Sequence, residues 1–479
     1  MPQERSSGMI HSSPAPLDQF PPTKRCQVDL ALQPDPWLPL GRALEVELRD
    51  AVRTGRLRAG QRLPSTRGLA DDLGVARGTV VAVYEQLVAE GWLEARQGAG
   101  TRVAAVPAVP TPAAPPPAAA RAPDAWRPLR PGVPDLSRFP RQAWARAMQR
   151  SLAAAPTDAL GYGEAGGPAP AREVLAGYLG RVRGIHTDPD DVLFTTGLAQ
   201  GLSLVARVLA ARGARQVALE DPGSPPFRHL LHAARLDAVP VPVDNKGLVT
   251  AALPDAAGVL VTPAHQFPLG VALAPHRRHD LIAWTRTGGL VLEDDYDAEF
   301  RYDRRTVKAV QPLAPDAVVH LGSVSKTLAP ALRLGWVVVP PALRDAVLAA
   351  KRHHDISSTT LNALAFAELL DSGAYDRHLR ALRTHYRRRH ERVAAVLADR
   401  GWALPGVPAG LHLVAVEPEP GVAQHAARRA DDLGLDLPPL SSYRTTPSTD
   451  PDGLVVGFAA IRAGEERETL ARLDRALDR

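Results

Sequence analysis

The segment Ser323-Val324-Ser325-Lys326-Thr327 sets a lysine among small side chains, two of them serines, and Arg333 follows seven residues later. A lysine held in a partly buried site loses proton affinity and becomes a nucleophile toward an aldehyde. Hydroxyls and an arginine fork bind a phosphate dianion. These residue types, in this spacing, fit the capture of an aldehyde that carries a phosphate. About thirty residues earlier, Gly288-Gly289-Leu290-Val291-Leu292-Glu293-Asp294-Asp295-Tyr296-Asp297-Ala298-Glu299-Phe300 reads as a short buried strand running into an acidic tip with an aromatic. Acids at the carboxyl end of a strand point into the ligand crevice of an α/β sheet.

Three further segments supply elements that would position such a ligand. Phe194-Thr195-Thr196-Gly197-Leu198-Ala199-Gln200-Gly201 passes from a strand through glycine into the helical pattern Leu202, Val205, Leu209, whose first backbone N–H groups can hold a phosphate. Glu220-Asp221-Pro222-Gly223-Ser224-Pro225 follows the next strand, and Thr262-Pro263-Ala264-His265-Gln266-Phe267-Pro268-Leu269-Gly270 makes a Pro-rich turn. Pyridoxal 5′-phosphate (PLP) has both the aldehyde and the phosphate. Together the five motifs resemble those of fold-type I aminotransferases. The resemblance implies that Lys326 is the Schiff-base residue, with Asp294 at the pyridine nitrogen, Tyr296 at the ring hydroxyl, and Ser323, Ser325 and Arg333 at the phosphate. It implies backbone contacts to the phosphate from Leu198 and Ala199, and it brings His265 beside the cofactor, where a structural role is equally open. Two positions depart from the family pattern: Ser224 stands where a ring-stacking tyrosine is common, leaving Phe227 or another aromatic to substitute, and Leu269 stands where threonine is usual.

The amino-terminal part has a different pattern. Three short helical stretches are expected, one from Leu44 to Gly55, one from Ser65 to Leu73, and one from Val75 to Glu90. In the third, Val80, Val83, Tyr84, Leu87 and Val88 mark one buried face. Leu73-Gly74-Val75 is a tight turn, so the second and third stretches form a helix-turn-helix whose last helix would enter the major groove by its first residues. Two strands around Arg96-Gln97-Gly98-Ala99-Gly100 complete a wing. Gly60 to Ala70, Gly74 to Val80 and Gly98 to Thr101 resemble the GntR-type winged helix-turn-helix. That resemblance implies DNA contacts from Arg67, Arg77 and Thr79, with Gly98 letting the wing approach the minor groove. Ala76 replaces the usual serine before the recognition arginine, and Gly68 replaces the glutamate that would complete a capping box with Ser65.

Between the two parts, Val106 to Ala120 is a Pro/Ala-rich run with no core-forming periodicity, which favours extended polyproline II geometry. About twenty such residues, at about 3.1 Å each, reach roughly 60 Å. The expected layout is a disordered tail at 1–26, a DNA-binding domain at 27–104, a linker at 105–125, and an α/β body at 126–479 with a smaller C-terminal subdomain. The net charge of +5 is a weak pointer to nucleic acid. An arginine run from Arg377 to Arg392 is expected to be the solvated face of a long helix. The single cysteine, Cys26, excludes an internal disulfide framework, and no metal site is read from the sequence. No apolar run is long enough to span a membrane, so a cytoplasmic protein is expected.

A GntR-type head, a proline-rich linker and an aminotransferase-like body resemble the MocR subfamily of bacterial transcription regulators from about Val28 to the end. The resemblance implies a PLP-binding regulator of a double-stranded DNA operator, controlled by PLP or by an amino-acid or amine effector. A homodimer is expected as well, because the loop bearing Tyr162 lies at the dimer interface in fold-type I proteins. Arg444, in Ser441-Ser442-Tyr443-Arg444, is the candidate for an effector carboxylate. The alternative is an active PLP-dependent aminotransferase whose head only localises it, and a third reading makes the body a dimerisation scaffold without PLP. Effector, operator and direction of regulation are not encoded in these motifs.

Overall fold

The computed structural model describes residues 38–96, 100–105, 127–303, 307–417, 419–448 and 450–478. The chain divides into two compact units, Met1–Asp124 and Ala125–Arg479. The expected tail, residues 106–125 of the expected linker, and Gly98 lie outside the described residues.

In the first unit, α1 (Leu40–Arg53), α2 (Thr66–Leu73) and α3 (Arg77–Ala89) close on a core of Leu44, Leu48, Leu69, Val80, Tyr84 and Leu87. β1 (Leu93–Arg96) pairs antiparallel with β2 (Gly100–Val103) to make the wing's ribbon. The apolar stripe of the third helix is the face that is buried, with Val88 half-exposed at its edge. Ser65 Oγ accepts the Gly68 N–H at 3.0 Å, so α2 is capped without the glutamate of a full box. The expected start of the third helix at Val75 is corrected to Arg77. Gly74 takes the left-handed conformation (φ 67°), the Val75 N–H bonds the Ala70 carbonyl, and Ala76 is extended. The turn consumes both residues, and the alanine has no oxygen with which to cap α3.

The second unit opens with α4 (Arg141–Ala154) and α5 (Ala169–Arg183), then β3 (Val192–Thr195), α6 (Leu198–Ala211), β4 (Gln216–Asp221), α7 (Pro225–Ala233), β5 (Asp237–Asp244) and β6 (Gly247–Leu248). There follow β7 (Gly258–Val261), α8 (Pro275–Thr285), β8 (Leu290–Asp295), β9 (Val318–Ser323), β10 (Gly335–Val338), α9 (Pro341–Asp355), α10 (Thr360–Asp371) and the long α11 (Ala374–Asp399). The eight strands β3 to β10 form one sheet in the order β3-β10-β9-β8-β7-β4-β5-β6. β4, β5, β7, β8 and β9 run parallel, while β10 is antiparallel to both β3 and β9. The central strands are buried on both faces and therefore read as apolar runs rather than alternating ones. A smaller C-terminal subdomain adds β11 (His412–Glu417), α12 (Val422–Asp432), β12 (Asp452–Gly457) and α13 (Glu466–Ala476), with β11 and β12 antiparallel.

The arginine run on α11 is not a solvated face throughout. Arg389 is buried, 3.0 Å from Asp135 Oδ2, and Arg383 donates to the Glu299 carbonyl at 3.0 Å. The run spans several turns, so its side chains face all round the helix, and an aliphatic stem lets an arginine reach a buried acceptor. Among the described residues, no helix is long and apolar enough to cross a membrane.

α6 lies close on the sheet at Gly201, where a methyl group would sit 2.5 Å from Val337 Cγ2 and 3.0 Å from Leu321 Cδ2. Gly201→Ala should therefore lower body stability by about 1–3 kcal/mol through overpacking, read by urea denaturation. An unchanged midpoint would show that α6 does not bear on the sheet in this way.

Candidate functional site

Five loops leave the carboxyl ends of β3, β4, β7, β8 and β9, where ligands bind in open α/β sheets. They carry all five motifs named from the sequence, so one edge of the sheet collects Leu198 and Ala199, Glu220, His265, Asp294 and Tyr296, and Ser323 to Arg333. Gly197, with φ 111°, turns β3 into α6. Among the described residues, no acceptor engages the Leu198 and Ala199 amides at the start of that helix. The Arg333 guanidinium comes to this turn, 3.4 Å from where a Cβ on Gly197 would stand. Arg333 is itself left-handed (φ 47°) and exposed. Ser323 ends β9, and its Oγ accepts the Ser325 N–H at 3.4 Å.

Lys326 follows directly and donates from Nζ to the Gly132 carbonyl at 2.6 Å. Burial pushes its pKa below 10.5, while the Asp294 and Asp297 charges pull it up. Asp294 is 4 % exposed, and its Oδ1 has no hydrogen-bond partner among the described residues. Desolvation, with Asp295 and Asp297 adding to it, pushes the Asp294 carboxyl well above its usual range, and the Lys326 charge opposes that rise.

Around these two groups most of the acids have partners, although Asp297 Oδ1 has none among the described residues. Asp295 accepts Arg183 through both oxygens at 2.6 and 2.8 Å. Glu293 accepts the Val310 and Gln311 amides at 2.7 and 3.1 Å. His265 Nδ1 lies 2.9 Å from Asp297 Oδ2 and 3.1 Å from the Tyr296 hydroxyl, linking carboxylate, imidazole and phenol in a buried network. Burial and the neighbouring acids raise the Tyr296 pKa well above 10, so the phenol keeps its proton. His412 packs against His265 with ring centroids 5.0 Å apart, and its Nε2 meets the Pro268 carbonyl at 3.0 Å. Glu220 has no cationic partner among its bonds, accepting Thr262 N–H, Thr262 Oγ1 and Gln266 Nε2 through one oxygen.

Two expected positions are placed differently from the rest. Ser224 caps α7 without a side-chain bond, and Phe227 is half-buried against the sheet core. Arg444 sits on a segment clasped to the end of β4, where Asp221 accepts the Thr445 and Thr446 amides at 2.7 and 3.0 Å, and its guanidinium is 3.1 Å from Asp450. In the other unit, Arg67 and Arg77 are exposed in the first turns of α2 and α3, and Thr79 is half-buried with its methyl toward Gly41 of α1. Sequence reasoning missed the Gly132 carbonyl, Arg183 and His412. It quoted Glu220 and Asp297 inside motifs without a role, although acids within an apolar strand end were a usable signal.

The family models agree with this division. Residues 40–103 match bacterial regulatory proteins of the gntR family, and residues 131–430 match aminotransferase class I and II. The pyridoxine biosynthesis transcriptional regulator PdxR of Corynebacterium glutamicum is 33% identical over 459 residues, covering 94% of this chain and 98% of that protein. The chain belongs to the MocR-type regulators of the GntR family. The probable rhizopine catabolism regulatory protein MocR of Rhizobium meliloti is 32% identical, covering 93% and 95% of the two chains. The body of this MocR-type regulator has the fold of solved aminotransferases. One is the α-aminoadipate aminotransferase LysN of Thermus thermophilus, complexed with N-(5′-phosphopyridoxyl)-L-leucine (TM-score 0.64, 25% identity, 72% of this chain and 90% of that one). The aminotransferase class match makes PLP the cofactor, and the residues fit it: a buried orphan carboxylate oxygen, a lysine of lowered proton affinity, and an arginine at a helix start.

Glu220 gives a pH-dependent test of the site's electrostatics. Desolvation raises its pKa to about 7 from an ordinary 4.5. The folded state then holds a proton that the unfolded state has released, so this contribution to stability falls as pH rises from about 4.5 to 7. Glu220→Gln should match the parent at pH 4 and exceed it at pH 8 by on the order of 3 kcal/mol in urea denaturation. Equal differences at both pH values would contradict the burial of an uncompensated charge.

Proposed function

We propose that this regulator holds PLP on Lys326 and uses the loaded body to control its DNA-binding heads. The observation that carries the reading is the pairing of a buried carboxylate oxygen that lacks a partner, on Asp294, with a lysine whose proton affinity burial has lowered. When bound, PLP supplies an aldehyde for amine capture, a ring nitrogen that can take a proton, and a phosphate. Asp294 holds the proton on the ring nitrogen, since that charge relieves its own desolvation. Tyr296 donates to the ring hydroxyl, and His265, braced by Asp297, fixes the phenol's direction. Arg333, Ser323, Ser325 and the amides of Leu198 and Ala199 bind the phosphate.

An effector is an amine or amino acid, and Arg444 receives its carboxylate by exchanging it for Asp450. The ligand shifts the heads only if it binds the two head arrangements with different free energies. Each head sets α3 in the major groove, with Arg77, Arg67 and Thr79 at phosphates or base edges and Gly98 in the wing. The active form is a homodimer in the cytoplasm, where its DNA lies. Tyr162, 78 % exposed, with Leu152 and Leu160 also exposed, supports a covered apolar face in the dimer.

The test is borohydride reduction of the full chain after PLP loading, followed by peptide mass mapping. The expected result is a visible absorbance band before reduction and a pyridoxyl group fixed on Lys326. Lys351 is an internal control, because it is also buried but ion-paired to Asp355 at 2.6 Å. A label on another lysine, or a protein that retains no PLP on desalting, would overturn the reading.

A further inference from the structure

A cavity of about 720 Å³ opens between the end of α5, residues 298–302 with Val307 and Lys308, and the first half of α11. None of Lys326, Asp294 or Tyr296 lines it. Among the described residues that line it, seven are arginine or lysine and two are acidic, so this part of its wall carries a surplus of positive charge. Three of the cations are ion-paired: the sheltered Arg183 to Asp295 and Arg301 to Asp303, and the exposed Arg181 to Asp376 at 2.9 Å. The remaining four are less engaged. Lys308 and Arg380 have no ion-pair partner among the described residues, and Arg387 is only 3.8 Å from Glu391. Arg383 gives one N–H to the Glu299 carbonyl, leaving the rest of its fork unassigned. Free donors thus converge from a loop and from two successive turns of a helix. Apolar surface from Tyr178, Val182 and Leu379 lies among them.

We infer that this crevice binds a small polyanion, a metabolite bearing two or more phosphate groups. The volume falls within the range of roughly 300–1,000 Å³ typical of small-ligand sites. Arginine forks match phosphate oxygens in pairs, and lysine adds a point charge. A DNA duplex presents its phosphates along a convex surface, which does not suit donors that converge inside a concavity. The position also has a consequence for sensing. Arg183 at the crevice is paired with Asp295, the residue next to Asp294 at the cofactor edge.

The test is calorimetric titration of inorganic tripolyphosphate into the PLP-loaded full chain, so that the cofactor's own phosphate site is filled. Orthophosphate serves as the single-phosphate comparison. Tripolyphosphate should bind at least tenfold more tightly than orthophosphate. The double variant Arg380→Glu/Arg387→Glu and, from the other wall, Lys308→Glu should each weaken tripolyphosphate at least tenfold. All three positions are exposed, so the fold should survive, and an unchanged thermal midpoint checks that. Arg467→Glu, on the exposed side of α13, makes the same charge change elsewhere and should alter affinity less than twofold. The proposal is overturned by an absence of binding, or by variants that bind like the parent. It is equally overturned if the crevice variants lose DNA affinity while tripolyphosphate binding is unaffected.

Discussion

The body is organised around buried negative charge at one edge of its sheet. Glu220 lies at the penultimate position of β4, and Glu293, Asp294, Asp295 and Asp297 crowd the end of β8, all of them buried. Taking a carboxylate out of water is costly unless a charge or several hydrogen bonds replace the solvent. Three of the five receive such partners from the protein: Arg183 for Asp295, two amides for Glu293 and His265 for Asp297, while Glu220 has only the Thr262 and Gln266 donors on one oxygen and stays raised to about 7. Asp294 and Asp297 each keep an oxygen without a partner among the described residues, and Asp294 faces the field of Lys326. Of the five, Asp294 is the one that accepts no hydrogen bond from a described residue, and the proposed cationic ring nitrogen would supply its missing partner.

The same logic links cofactor to regulation. In the proposed reading the phosphate end is formed by the backbone amides at the start of α6 and by Arg333, and the helix is seated on the sheet by Gly201. The proposed effector end is a C-terminal segment clasped to the strand edge through Asp221. A ligand that bridges these two ends ties the C-terminal subdomain to the large sheet, which is the sort of closure that distinguishes two body states. The head meanwhile is a small three-helix unit with its own core, and its Ser65 cap and Gly74 turn hold α3 with Arg77 exposed.

Much of this was legible in the sequence because the decisive signals are local. Lys326, Asp294 and Tyr296 lie in short motifs whose chemistry can be read from residue types, and the buried stripe of α3 follows from helical spacing. The layout of strand, polar loop and helix was likewise visible in each motif. What could not be read are the partners brought in by topology. Arg183 is 112 residues from Asp295, and Gly132 is 194 from Lys326. Nothing in the pattern around Arg389 separates it from its exposed neighbours on α11, yet it is buried beside Asp135. The start of α3 was misplaced for a local reason, since Val75 continues an apolar pattern while the backbone is still turning.

The most direct measurement of the central claim is DNA affinity by fluorescence anisotropy, on a duplex recovered by in vitro selection with the full chain, for the parent and Lys326→Ala. The account predicts that PLP changes the parent's affinity by at least about fivefold, a coupling in the usual allosteric range, and leaves Lys326→Ala unmoved. An equal response in both proteins, or none in the parent, would contradict control of the heads through Lys326.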